Sequence, residues 1–358
     1  MTAAAEDTAA SAPAAPPLPA SDGMLPPLLR MMALTSVVTG ILFTINNYLN
    51  FWRDWPGVPT LYSHLGWFGA QPLNKPLADD LVTLGWIQLA LYLLPVAGIV
   101  LLVLRTPDRS LHMDSEVMSR FTAYLIRASF WMVMLVGLAD TLISFLRVEN
   151  MLQDFVGAQM AQDLGRSSYR GNHVHYPLVL VSCVIALFTR SLGFTWLALL
   201  IVVAEIMIVI ARFIYSYEQA FMADLVRFWY GALFLFASAY TLIQEGHVRV
   251  DILYSSFSNR GKAWTNTLGS FFLGVPLCWV ILTMGMWTQS NVINGPLLSY
   301  EVTQAGFGMY VKWLLAGFLY IFAISMLFQF TSYFLSNAAV LLRQPDAVPV
   351  AGDAHGAD

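Results

Sequence analysis

Residues 193–216 read GFTWLALLIVVAEIMIVIARFIYS, and this stretch decides which solvent the chain folds in. An α-helix rises 1.5 Å per residue, so about 20 residues cross the ~30 Å hydrocarbon layer of a bilayer. From Phe194 to Ala211 the only ionisable side chain is Glu205. A helix apolar on every side has no wet face, so it belongs in lipid or inside other helices. Seven further apolar runs flank it, at 29–50, 79–104, 122–147, 175–190, 226–244, 264–288 and 309–335, separated by polar joints bearing Pro and Gly. The composition agrees: 58% of the 358 residues are hydrophobic and 11% charged, against about 25% charged in a soluble domain. The fold class is therefore all-α, a polytopic integral membrane helical bundle of about eight transmembrane helices. The run from His175 to Arg190 has a short apolar core, which leaves seven crossings as the alternative.

Residues 1–27 are rich in Ala, Pro and Ser, with Glu6 and Asp22 and no base before Arg30. A secretory signal starts basic and then turns apolar, so this stretch reads as a disordered tail. Residues 344–358 read the same way. With the N-terminus inside, the inner joints carry Arg105, Arg109, Arg120, Arg190, Arg249, Arg260 and Lys262, while Trp287 to Tyr310 carries no base. The outer loops hold Arg53, Lys75, Arg147, Arg166 and Arg170, so the bias is modest and favours both termini in the cytoplasm. The loop from Phe51 to Pro76 is dense in aromatic and turn residues, which suit the headgroup layer. Met151, Leu152, Phe155, Val156 and Met160 are expected on one face of a helix lying on the bilayer surface. The net charge of −4 argues against nucleic acid as a partner.

Ionisable groups inside a span cost roughly 2.5–3.5 kcal/mol on insertion scales. Asp140 and Glu205 are the two carboxylates to explain, as an ion relay or as partners of an Arg, Gln or hydroxyl such as Gln88 or Thr83. Pairing is favoured, because a relay needs several groups in series. Cys183 and Cys278 are isolated within apolar runs and read as helix filler. His64, His112, His173, His175, His247 and His355 are all assigned to polar connecting segments, which disfavours a haem ligated within the helices. His173 and His175 are read as structural, with no carboxylate near them. No phosphate loop, metal-spaced Cys/His set or nucleophile turn is present, so no enzyme, metal or cofactor is expected.

From Arg212 to Lys262 the chain leaves a helix at Gln244-Glu245-Gly246. His247, Arg249 and Asp251 then alternate with Val248, Val250 and Ile252. Gly246 suits the left-handed turn that ends a helix, and cations there complement its dipole and anionic headgroups. The run YTLIQEGHVRVD at 240–251 resembles the small permease subunit of tripartite ATP-independent periplasmic (TRAP) transporters, the DctQ-like family. That family shows Tyr-Thr-Leu, an acidic residue, then Gly-His-Val-Arg-Val-Asp after its second helix. Ser258 to Trp264 resembles the family's lead into the next helix, and Arg212 matches the arginine ending its first. The long form of the branch labelled mannitol or chloroaromatic is the most similar. Of the family's paired acids only Asp224 is present, and its proline early in the last helix is absent after Lys312.

The resemblance divides the chain into a tail (1–27), additional transmembrane helices with two long outer loops (28–190), a four-helix small-permease unit (191–343) and a second tail (344–358). It implies a multi-pass protein of the bacterial inner membrane that binds a large permease subunit, the holder of substrate and of a sodium or proton gradient. A periplasmic solute-binding protein delivers the solute, typically an organic acid. The small subunit then acts as a scaffold in symport. Arg212, Asp224, Arg227, Glu245, Gly246, His247, Arg249 and Asp251 would position helix ends and membrane lipid without touching substrate. Two alternatives stay open: a self-sufficient carrier using Glu205 and Asp140, and a membrane anchor subunit of another complex.

Overall fold

The computed structural model describes residues 23–190, 194–243, 254, 256–303 and 308–348. Eight helical stretches among them are long and apolar enough to cross a membrane, and each overlaps one of the eight apolar runs. The chain begins with α1 (Leu25–Trp52), a short lid helix α2 (Val58–Leu65), α3 (Asp79–Arg105) and the 38-residue α4 (Leu111–Val148). After α5 (Leu152–Val156) and α6 (Ala158–Leu164), the fourth span runs through α7 (Ser167–Arg170) into α8 (Tyr176–Phe188). Then come α9 (Phe194–Tyr215), α10 (Ala220–Ile243), α11 (Asn259–Gly269) continued by α12 (Val275–Met286), α13 (Asn294–Ser299) and α14 (Lys312–Leu341).

Local chemistry sets the ends of these elements. Pro26 and Pro27 sit in the first turn of α1, where a missing N–H costs nothing. Three residues assigned to the N-terminal tail are therefore helical, and residues 1–22 lie outside the described residues. Ser110 caps α4 by accepting from the Met113 N–H at 3.2 Å, and Ser258 caps α11 in the same way. The expected surface helix over 151–160 is instead two, α5 and α6. Gly157 takes φ +83° between them, and Leu152 is buried while Phe155 faces outward. At the other terminus, Gln344 Oε1 accepts from the Leu111 N–H at 2.9 Å and Asp346 bonds Ser110. The first residues of the expected C-terminal tail are thus pinned to the start of α4, and 349–358 lie outside the described residues.

The fourth span is full length, 22 residues from Ser167 to Phe188. Its path contains a widened turn, Gly171–His175, where Tyr176 N–H bonds Gly171 O five residues back. Pro177 follows at once. A proline has no N–H to give, and a π-type turn is one way a helix absorbs that loss. The seventh span repeats the device: Val275 N–H bonds Ser270 O just before Pro276. In both cases the glycine of the widened turn admits a ring. A Cβ on Gly171 would lie 2.5 Å from Tyr300, and one on Gly274 2.5 Å from Phe330 of α14.

α14 is the hub. It packs against α4, α10, α11, α12 and α1, and α4 packs in turn on α8 and α10. Ile126, Val133 and Val136 of α4 share one buried core with Phe228 and Trp229 of α10, Leu282 of α12 and Phe318 of α14. Lipid tails are as apolar as these side chains, so close packing drives the association rather than escape from water. Overfilling a tight contact costs about 1–3 kcal/mol. Gly274→Ala should therefore lower the melting temperature of the detergent-solubilised chain. Gly98→Ala, whose Cβ meets nothing within 4 Å, should leave it unchanged or raise it. Equal melting temperatures for the two variants would contradict the packing assigned to Gly274.

Candidate functional site

Most of the buried charge collects where the spans end near α5–α6 and α13. Asp140, two turns before the end of α4, is fully buried, as are Arg170 of α7 and His175 of the widened turn. Asp140 Oδ1 accepts from Arg170 Nη1 at 2.9 Å and pairs with His175 Nε2 at 3.0 Å. Its Oδ2 accepts from the Tyr310 backbone N–H at 2.8 Å. Arg170 also donates to Ser144 Oγ at 3.1 Å and twice to Leu164 O, at 3.0 and 2.9 Å. Its guanidinium lies 4.2 Å from the centre of the Tyr310 ring, and that of Arg147 lies 4.6 Å from the same ring. Arg147 bonds the Tyr310 hydroxyl and donates to Gly308 O at 3.1 Å.

The second carboxylate of the site comes from α10. Asp224 Oδ2 accepts from the Met309 N–H at 3.1 Å and from Thr303 Oγ1 at 3.2 Å. Two consecutive backbone N–H groups, 309 and 310, are thus held by two carboxylates from different helices. Both stand just before α14, where a helix leaves N–H groups unpaired and its dipole favours negative charge. The arrangement is a clasp. Both carboxylates in it are engaged, and they are spent on guanidinium, imidazole, hydroxyl and amide partners rather than lined up in series as a relay needs.

Two sequence expectations are corrected. His175 lies inside the fourth span, not in a connecting segment, and it does have a carboxylate beside it. Asp140 pairs with an arginine, one of the expected partner types, and that partner is Arg170 rather than Gln88 or Thr83. Gln88 instead bonds Asn50 and Gly57, and Thr83 bonds its own helix at Asp79. The α4 half of the clasp follows helical spacing, since 140, 144 and 147 share a face. The other half does not: residues 170 and 175 would stand about 140° apart on a regular α-helix. Only the widened turn brings both to Asp140, and no 3.6-residue pattern signals it.

The remaining predicted residues scatter. Arg212 and Glu218 form an exposed 3.4 Å pair, and Arg227 is 73% exposed, 3.6 Å from Asp224. Glu205 is exposed on α9 and makes no hydrogen bond or ion pair among the described residues. The structure joins Glu205 and Asp140 in no common network. Glu245, Gly246, His247, Arg249 and Asp251 lie outside the described residues. Cys183 and Cys278 are unpaired. At the opposite end Arg30 and Arg109 both hold Asp114, at 2.7 and 2.6 Å, and Arg30 also bonds Thr106 O at 2.6 Å. That joins α1 to the α3–α4 turn.

Removing one partner of a buried ion pair strands the other, at about 3–5 kcal/mol. Asp140→Asn should therefore sharply lower the detergent melting temperature, whereas Arg227→Ala should barely move it. Equal stability of the two variants would show that the clasp does not hold the bundle.

Residues 198–339, from the first turns of α9 to the last turn of α14, match the family model described as tripartite ATP-independent periplasmic transporters, DctQ component. No curated protein and no solved structure matches the chain.

Proposed function

Because residues 198–339 match the family model of the DctQ component of tripartite ATP-independent periplasmic transporters, we propose that this chain is the small membrane subunit that scaffolds a large permease. In this reading the large subunit holds the solute and uses an ion gradient. A periplasmic binding protein delivers an organic acid, and the present chain enlarges the immobile frame against which transport occurs. The protein sits in the bacterial inner membrane with both ends in the cytoplasm. Residues 28–190 extend the frame, tied to the family unit through the clasp. Arg212, Arg227 and the run Glu245 to Asp251 set helix ends and meet lipid headgroups, while Asp224, buried in the clasp, sets a helix end alone.

The observation that supports this reading best is the state of α9. It is the least covered span of the bundle, packing mainly on α10. Near its middle stands Glu205, without a partner among the described residues. An ionisable side chain facing hydrocarbon is expensive, and the usual remedy is a partner of opposite sign or a hydrogen-bond donor. A permease helix laid on this face, presenting a cation or donor at mid-membrane depth, supplies that remedy. The self-sufficient carrier has no comparable support, since Asp140 is fully engaged in the clasp.

The test is purification of the tagged full chain from its native membrane in mild detergent. A stoichiometric large permease of the same transporter class should co-purify, and solute uptake should require both chains. Glu205→Leu should cut recovery of that permease at least tenfold while leaving the isolated chain's melting temperature equal or higher. Recovery of the chain alone, with transport activity in proteoliposomes, would overturn the proposal.

A further inference from the structure

A second polar site lies well away from the clasp, in the part of the chain that the family model does not cover. Phe43, Asn46, Asn47 and Asn50 follow helical spacing on α1 and line one side of a cleft of about 510 Å³. Ligand sites commonly fall between about 300 and 1,000 Å³. The loop and lid helix from Trp55 to Tyr62 form the roof, and Tyr92 of α3 with Met286 and Trp287 completes the wall.

The asparagines are in an unusual state. Asn46 and Asn47 are 4% and 5% exposed. Asn46 Nδ2 donates to Leu42 O at 3.1 Å and Asn47 Nδ2 to Met286 O at 2.5 Å. Exchanging N and O in either amide would set carbonyl against carbonyl, so the orientations are determined. Both Oδ1 atoms are then left buried with no hydrogen-bond partner among the described residues. Buried acceptors of this kind are costly unless an O–H or N–H reaches them. The third amide is already used: Asn50 Oδ1 accepts from Gln88 Nε2 at 2.7 Å, and Gln88 Oε1 accepts from the Gly57 N–H at 2.8 Å. That relay clips the roof to α3 and α1. Gly57 has φ +80°, and a Cβ there would lie 3.3 Å from the Asn50 amide, so the clip depends on glycine.

Among the described residues, no Lys, Arg, Asp, Glu or His lines the cleft. An ionised guest would lose its hydration without gaining a counter-charge. That disfavours a carboxylate, the solute class suggested for the partner permease. Asn46 and Asn47 line the cleft together with Trp55, Tyr62, Tyr92 and Trp287. A small shift that brings their buried, unpartnered Oδ1 atoms to its surface would suit a guest with hydroxyl groups on its edges and C–H on its faces. We propose that this cleft binds an uncharged polyhydroxylated group, a sugar or glycerol-like moiety, either free or as the headgroup of a neutral glycolipid.

The test uses the full chain in a polyoxyethylene ether detergent, because alkyl maltosides carry the very chemistry in question. Calorimetric titration with methyl glucoside, with lactate as the anionic control, probes the free source. Nanodiscs of phosphatidylcholine with or without monoglucosyl diacylglycerol, read by native mass spectrometry, probe the lipid source. Saturable binding of the glucoside, or selective retention of the glucolipid, is expected, with lactate silent. Asn46→Leu should weaken binding at least tenfold without lowering the melting temperature, since it removes a buried unpaired oxygen. Trp55→Ala, on the roof outside the bundle, should weaken it as well. Absence of saturable binding from both sources, or undiminished binding by both variants, would overturn the proposal and leave water as the guest of the asparagines.

Discussion

The amides of Met309 and Tyr310 stand at the head of α14, where no helical carbonyl can reach them, and a bilayer offers little water in exchange. Buried backbone groups left without a partner are costly. Asp224 from α10 and Asp140 from α4 take one amide apiece. Each carboxylate then needs its own justification. Asp140 is supplied with Arg170 and His175, and Arg170 with Ser144 and Leu164 O. The clasp is thus a chain of obligations that starts from two orphan N–H groups. It ties α4, α7, α10 and α14 into one end of the bundle.

The rest of the bundle is organised by α14. Because lipid supplies no hydrophobic push between helices, contact must be close to be favourable. The glycines do this work at specific places: Gly137 beside the Trp229 indole, Gly171 under Tyr300, Gly274 under Phe330. The covered helices α4, α10 and α14 contrast with α9, which the chain leaves almost bare. This contrast mirrors the functional reading, with a rigid frame on one side and an open face on the other.

Much of this architecture was legible in the sequence. Apolar runs of about twenty residues suit a bilayer, so all eight spans could be located, although the polar first turns of the third and fourth, from Leu111 and Ser167, were missed. The run after Tyr240 pointed to the transporter family. The fourth span looked short because its run was started only at His175, which left Arg170 and His173 outside it. A charged residue in a span counts against it only while its partner is unknown. Asp140 stood out for the same reason, yet its partner could not be named. Residues 170 and 175 share a side only through a π-type turn, and Tyr310 contributes its backbone rather than its side chain. The asparagines at 46, 47 and 50 drew no expectation from the sequence, because their meaning rests on the orientation of each amide.

Sequence separation gives the clasp a place in biogenesis. Asp140 lies 30 residues from Arg170 but 170 residues from Tyr310. At roughly 5–20 residues per second of synthesis, the ion pair can form within seconds. The Tyr310 amide follows on the order of ten to thirty seconds later. The first four spans therefore wait in the membrane with Asp140 and Arg170 already paired and one carboxylate oxygen unclaimed, until the head of α14 arrives to close the structure.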